Sequence, residues 1–180
     1  MAHKEQQNYC SSIKVKFPKY FKNIKVLDCG SQDINGNNRF LFENCNYTGI
    51  DVNLGKNVDI SCSTHIFDAK DNTYDTIIST ECFEHDMYYV DSLKNIIRML
   101  KPGGLFLFTC ATTNRAEHGT LRTTPSDSPL TCKIEDWMNY YKNLTEKDIK
   151  KDINIDDLFS NYEFVSARGD RDLYFYGIKK

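Results

Sequence analysis

Lys25-Val26-Leu27-Asp28-Cys29-Gly30, continuing through Gly36 to Asn38, is the stretch that decides the fold. Its apolar run reads as a short buried strand, and glycine at 30 opens an abrupt Gly/Asn-rich turn at the strand's end. A helix is predicted after that turn. Further strands follow at 47–52, weakly at 58–61, clearly at 74–79, and at 105–109. Over 86–100 the residues Val90, Leu93, Ile96, Ile97 and Leu100 fall at helical spacing, and Lys101-Pro102-Gly103-Gly104 stops that helix. Strand and helix alternating at short intervals imply an α/β fold with a doubly wound, mostly parallel sheet. At the far end, 162–167 and 173–178 flank Arg168-Gly169-Asp170-Arg171, a hairpin turn, so the seven-stranded sheet should finish on an antiparallel C-terminal hairpin.

With 180 residues, 23 Lys+Arg, 25 Asp+Glu and 40% hydrophobic residues, the chain has the size of one domain spanning 1–180. The polar segment 111–133, too long for a plain connector, hangs after the 105–109 strand, where α/β proteins place substrate contacts. Short helices around 135–143 and from Thr145 should fold over it, making 111–150 a substrate-side loop and helical cover. A net charge of −2 with scattered Lys and Arg disfavours a nucleic-acid partner. Apolar runs of only a few residues, and a start at Met1-Ala2-His3-Lys4 without a signal's apolar core, disfavour a membrane partner. Seven cysteines, at 10, 29, 45, 62, 82, 110 and 132, contain no C-x-x-C pair; they fit neither zinc spacing nor a secreted disulfide framework. No metal is expected, and a reducing cytoplasmic location is.

Asp51 closes the second strand 21 positions after Gly30, where a carboxylate can reach both hydroxyls of a ribose lying across the switch point. This spacing points to a nucleoside cofactor without saying which. Gly30-Ser31-Gln32-Asp33-Ile34-Asn35 lacks the second and third glycines of a dinucleotide fingerprint, and no Walker lysine follows. Asp33-x-Asn35-x-Asn37 begins like a calcium loop, but Asn38 and Asn44 stand where its turn glycine and bidentate Glu belong.

Four segments in order, residues 26–30, Asp51, 74–79 followed by Glu84-His85, and 98–104, resemble class I S-adenosylmethionine-dependent methyltransferases with their Rossmann-like fold. The resemblance covers about residues 24 to 110. Residues 33–37, 109–113 and 117–120 are similar to a subgroup of small bacterial methyltransferases associated with surface-polysaccharide gene sets. The resemblance implies S-adenosyl-L-methionine as cofactor and S-adenosyl-L-homocysteine as product. It implies that Asp28, Gly30 and Ser31, with Gln32 in place of the usual second glycine, border the methionine part, that Asp51 holds the ribose and that Val52 lines the adenine. Ser63, Thr64 and His65 occupy the stretch where the family often has an adenine-binding Asp, and Thr80 and Glu81 should face the sulfonium.

Methyl transfer from a sulfonium is an in-line displacement from an excellent leaving group, so alignment, worth about 7–11 kcal/mol, outweighs the factor of roughly 100 to 10,000 from one general base. A hydroxyl acceptor still needs a base. His118 in the polar loop is the first candidate, with Glu81 and Glu117 able to share that duty or simply to pair with arginines. Arg115 and Arg122 bracket His118 and would suit an acceptor bearing negative charge. Glu84-His85 reads as a helix cap and pocket floor, His65 as an adenine contact or a turn residue, His3 as a mobile terminus, and Trp137, Tyr140 and Tyr141 as core contacts of a covering helix. The reading is an enzyme that methylates a small polar molecule, phosphorylated or sugar-linked, at oxygen; an NAD(P)-dependent oxidoreductase and a catalytically silent cofactor-binding module are the alternatives.

Overall fold

The computed structural model describes residues 3–180; the opening Met1-Ala2 lies outside the described residues. Seven strands form one sheet: β1 (Lys25–Cys29), β2 (Asn46–Asp51), β3 (Ile60–Ser61), β4 (Tyr74–Thr80), β5 (Leu100–Ala111), β6 (Phe159–Ala167) and β7 (Asp172–Lys179). Their order is β3-β2-β1-β4-β5-β7-β6, parallel from β3 to β5 and antiparallel at β7 and β6. The order reverses between β1 and β4, and the cleft that defines the site opens where those two strands end.

Period-two alternation sorts the strand side chains to two faces. Val26, Ile78, Leu105 and Leu107 pack on one side with Cys10 and Ile13 of helix α1 (Lys4–Lys16) and with Tyr20 and Phe21. Leu27, Ile77, Phe106 and Phe108 pack on the other with Leu93, Ile96 and Ile97 of helix α2 (Tyr89–Met99). Helix α3 (Glu146–Asp152) and the single turn α4 (Ile155–Leu158) add Ile149 and Ile155 to that second face. Thr145 starts α3 with a capping box: its hydroxyl takes the Asp148 N–H while the Asp148 carboxylate takes the Thr145 N–H.

Three local expectations differ from the structure. The helix predicted after Gly30 is absent, and residues 30–45 carry only a 3-10 turn at Arg39–Leu41. The polar Asn and Asp side chains there bond to neighbouring backbone instead, as Asp33 does to Gly36 N and Asn37 to Arg39 N. No helix forms over 135–143 either; the backbone there serves its neighbours, with Leu121 N donating to Met138 O and Lys142 N to Glu84 O. The chain before the first strand, by contrast, holds α1. His3 is no free terminus: its Nδ1 accepts the Gln6 N–H at the start of that helix and its Nε2 lies 3.3 Å from an Asp172 oxygen.

Candidate functional site

The carboxyl ends of β1, β2 and β4 open into a cleft whose walls include Asp28, Gly30, Asp51 and Thr80. Gly30 makes its inner corner possible. It has φ +77°, and a Cβ there would stand 2.4 Å from Cys82 Sγ, so only glycine lets the β1 exit pass the β4 exit. Gly30 N and Ser31 N both donate to Ile50 O, which folds the turn against β2. Ser31 is pinned further, its hydroxyl donating to Asn57 O and its carbonyl accepting from Asn57 Nδ2.

Asp51 lines this cleft with its carboxylate fixed from two sides, Oδ2 accepting from Gln32 N at 3.1 Å and Oδ1 from Val52 N at 2.8 Å. Burial pushes its pKa up to about 6, against the pull of those two N–H groups. Asp28, deeper at the same wall, is raised to about 7 by burial although Tyr47 donates its hydroxyl to it at 2.5 Å. Val52, Ser63, Thr64 and Thr80 also line the cleft; His65 does not, and its ring stacks on Tyr88 with centroids 4.2 Å apart.

Glu81 leaves β4 at φ +52°, an uncommon conformation for a glutamate, with its N–H donating to Thr109 O. Its Oε1 accepts from the Thr109 hydroxyl, while Oε2 is buried without a hydrogen-bond partner, 3.7 Å from His3 Nε2. Burial works to raise its pKa, but His3 and Thr109 together hold it below the usual carboxylate range. Glu84 and His85 form a 3-10 turn, Phe83–His85, and do not cap α2; the Asp86 carboxylate instead accepts from Tyr88 N and the Ser92 hydroxyl. His85 lines the cleft.

The 111–150 segment lies against the cleft through Asp127, Ser128, Leu130, Thr131 and Trp137, the last read from the sequence as a core contact, but not through Arg115, Glu117, His118 or Arg122. His118 is buried behind the lining, its ring edge-on to His85 at 5.1 Å. Arg115 is committed to the buried Asp172 at 3.1 Å. Arg122 pairs with Glu117 at 2.7 Å near the surface, and Glu117 also accepts from the Thr120 hydroxyl. The sequence reading missed Asn38, whose Nδ2 donates to Thr80 Oγ1 and whose Oδ1 is a buried acceptor without a partner, and also Cys62 and Cys82 on the walls.

A seven-stranded sheet of this order, with an acidic residue ending β2 beside a glycine turn after β1, defines the Rossmann-like methyltransferase class. The sequence matches a family model described as a methyltransferase domain over residues 1–150, and the chain belongs to that family, the class I S-adenosylmethionine-dependent methyltransferases. That membership sets aside the nicotinamide oxidoreductase. Comparison with curated proteins gives no match.

Solved structures share the fold at low identity. A Burkholderia thailandensis 1,6-didemethyltoxoflavin-N1-methyltransferase, with 1,6-didemethyltoxoflavin and S-adenosylhomocysteine bound, is 14% identical at TM-score 0.64, covering 97% of this chain and 78% of that one. The Haemonchus contortus phosphoethanolamine N-methyltransferase 2, in complex with phosphomonomethylethanolamine and S-adenosylhomocysteine, is 15% identical at TM-score 0.62, covering 96% and 52%. The Bacillus subtilis YcgJ protein is 11% identical at TM-score 0.63, covering 96% and 99%. The cleft here suits the family's cofactor: the buried acceptors Asn38 Oδ1 and Glu81 Oε2, both on lining residues, have no hydrogen-bond partner within the protein.

Proposed function

We propose that this methyltransferase binds S-adenosylmethionine across the end of β1 and β2 and transfers its methyl group to an oxygen of a small polar acceptor. The single observation that carries the cofactor placement is the Asp51 carboxylate, presented at the cleft by two backbone N–H groups. It accepts from the ribose hydroxyls. Asp28, Gly30, Ser31 and Gln32 flank the methionine end, Val52, Ser63 and Thr64 the adenine, and Thr80 and Glu81 the sulfonium. Glu81, held below the usual carboxylate range and with Oε2 lacking a hydrogen-bond partner, favours that cation and accepts a hydrogen bond from the incoming hydroxyl.

The acceptor enters beneath Leu130, Thr131 and Trp137, an apolar and hydroxyl-bearing wall suited to a small polar molecule such as a sugar-linked one. Arg115 and Arg122 are already neutralised by Asp172 and Glu117, which withdraws the argument for a phosphorylated acceptor. Among the described residues every cysteine is a free thiol, as a reducing cytoplasm would leave it, and no helix is long and apolar enough to cross a membrane.

The test is transfer of label from methyl-labelled S-adenosylmethionine to a panel of small hydroxyl, amine and acidic-carbon compounds. Label found on hydroxyl compounds, with a large fall in Glu81→Gln, supports the reading. Label confined to nitrogen or carbon acceptors refutes it, and cofactor binding without transfer to any of them would favour the silent module.

A further inference from the structure

Behind the cleft wall, Glu84 and His85 from the turn after β4 meet His118 from the segment after β5. All three are buried, and one potential ligand atom of each lies within 4.8 Å of the other two. Both oxygens of Glu84, both ring nitrogens of His85 and Nε2 of His118 have no hydrogen-bond partner. A buried polar atom left unpaired costs roughly 1–3 kcal/mol, so such atoms gathered in one place call for a shared partner. Two imidazoles and one carboxylate form a donor set suited to zinc and neighbouring divalent ions.

We propose that Glu84, His85 and His118 bind a divalent transition-metal ion of the zinc type, with coordination left open for an oxygen ligand on the side where His85 borders the cleft. The supporting structure around the three residues fits a ligand set. His118 Nδ1 lies 3.1 Å from Ala116 O, a contact that puts the ring proton there and leaves Nε2 with a free lone pair. Gly119, at φ +64°, lets the loop close on the cluster, since a Cβ at that position would stand 2.6 Å from His85 Cε1. The Tyr141 ring packs against both imidazoles, at 5.5 and 5.1 Å, and keeps the site shielded.

The binding site stands apart from the acceptor reading. Where that reading holds, an acceptor hydroxyl taken as a further ligand would become more acidic on the metal and give up its proton to Glu81, the carboxylate that lines the cleft.

The experiment uses the full chain, stripped with a chelator, titrated with Zn2+ by calorimetry and with Co2+ by visible absorption, without cofactor or acceptor. One ion per chain is expected, with no sulfur-to-cobalt charge-transfer band. Affinity should fall more than ~10–100-fold, the loss typical of even an outer partner, in His85→Ala, His118→Ala and the isosteric Glu84→Gln. Circular dichroism and S-adenosylhomocysteine affinity identify the variants that remain folded, and Glu84→Gln carries the test if the histidine variants do not. Wild-type binding no tighter than that of folded Glu84→Gln, or a thiolate band from cobalt held at the cysteines, would overturn the site.

Discussion

The Asp51 carboxylate accepts from two backbone N–H groups, and an asparagine there would set its own NH2 against one of those donors. Hydrogen bonds to a charged group contribute about 1.5–3 kcal/mol. Asp51→Asn is therefore expected to weaken S-adenosylhomocysteine binding about 10- to 100-fold, at 1.4 kcal/mol per tenfold, with the fold retained. Calorimetry at pH 8 reads this directly, and an unchanged affinity would remove Asp51 from the ribose. Asp28 supplies a pH-dependent test. Its folded-state pKa, about 7, lies above the ordinary aspartate value of about 3.9, so the folded state holds the proton more tightly than the unfolded chain between those values. The stability this contributes is present below about pH 4 and is lost as pH rises through about 7. The buried His85 and His118, with lowered pKa values, act in the opposite sense, so the quantity to read is a difference. In urea unfolding at pH 5 and pH 8, wild type should lose a few kcal/mol relative to Asp28→Asn on going to the higher pH. Parallel pH curves for the two proteins would show that Asp28 is not held protonated. Asp28, Gly30 and Asp51 were legible because each sits at a strand end whose pattern is local. His85 was taken for a cap because a helix follows it; its neighbour in space, His118, is 33 positions away, and no spacing rule connects them.

Helix α1 was not legible because its sequence, Lys4–Lys16, carries few apolar residues and shows no strong stripe. Tertiary packing settles it: Cys10 and Ile13 are buried against Val26, Ile78 and Leu107, and Phe17 N closes the helix by donating to Ile13 O. Ile13 is 4% exposed, so Ile13→Ala should destabilise the protein by about 2–4 kcal/mol, measured as a fall in the urea midpoint at constant slope. A loss under 1 kcal/mol would mean that α1 only rests on the sheet. The opposite error, a helix expected after the Gly30 turn, falls on a stretch whose Asn and Asp side chains compete with helical hydrogen bonds and whose glycine disfavours a helix through backbone entropy. Strand β5 likewise begins earlier than its apolar run at 105–109: Leu100 pairs with Tyr74 before the register shifts. The hairpin of β6 and β7 was read correctly, because its turn residues Arg168, Gly169 and Asp170 adopt positive φ where the sequence offers a turn.

At the scale of the whole molecule, the cleft is assembled from segments far apart in sequence: the β1 turn, the β2 end, the Cys62–Thr64 stretch, the β4 exit and the 127–137 wall. A ligand that touches all of them couples their ordering to its own binding, so cofactor occupancy should register in global stability. At S-adenosylhomocysteine concentrations 100 times the dissociation constant, the gain is about 2.7 kcal/mol. For a chain of this size that raises the unfolding temperature by roughly 5–11 °C, at about 2–4 °C per kcal/mol. Asp51→Asn, tested at the same absolute concentration, should show a shift smaller by about half or more, because weaker binding enters the same logarithm. NAD at equal concentration should shift neither protein, since the β1 turn lacks the second and third glycines that a pyrophosphate requires. A scan in which NAD stabilises the protein and S-adenosylhomocysteine does not would contradict the placement of the cofactor in this cleft, and hydrogen exchange would locate the difference: protection gained at 30–38, 51–52 and 62–64 is expected only with the adenosyl ligand.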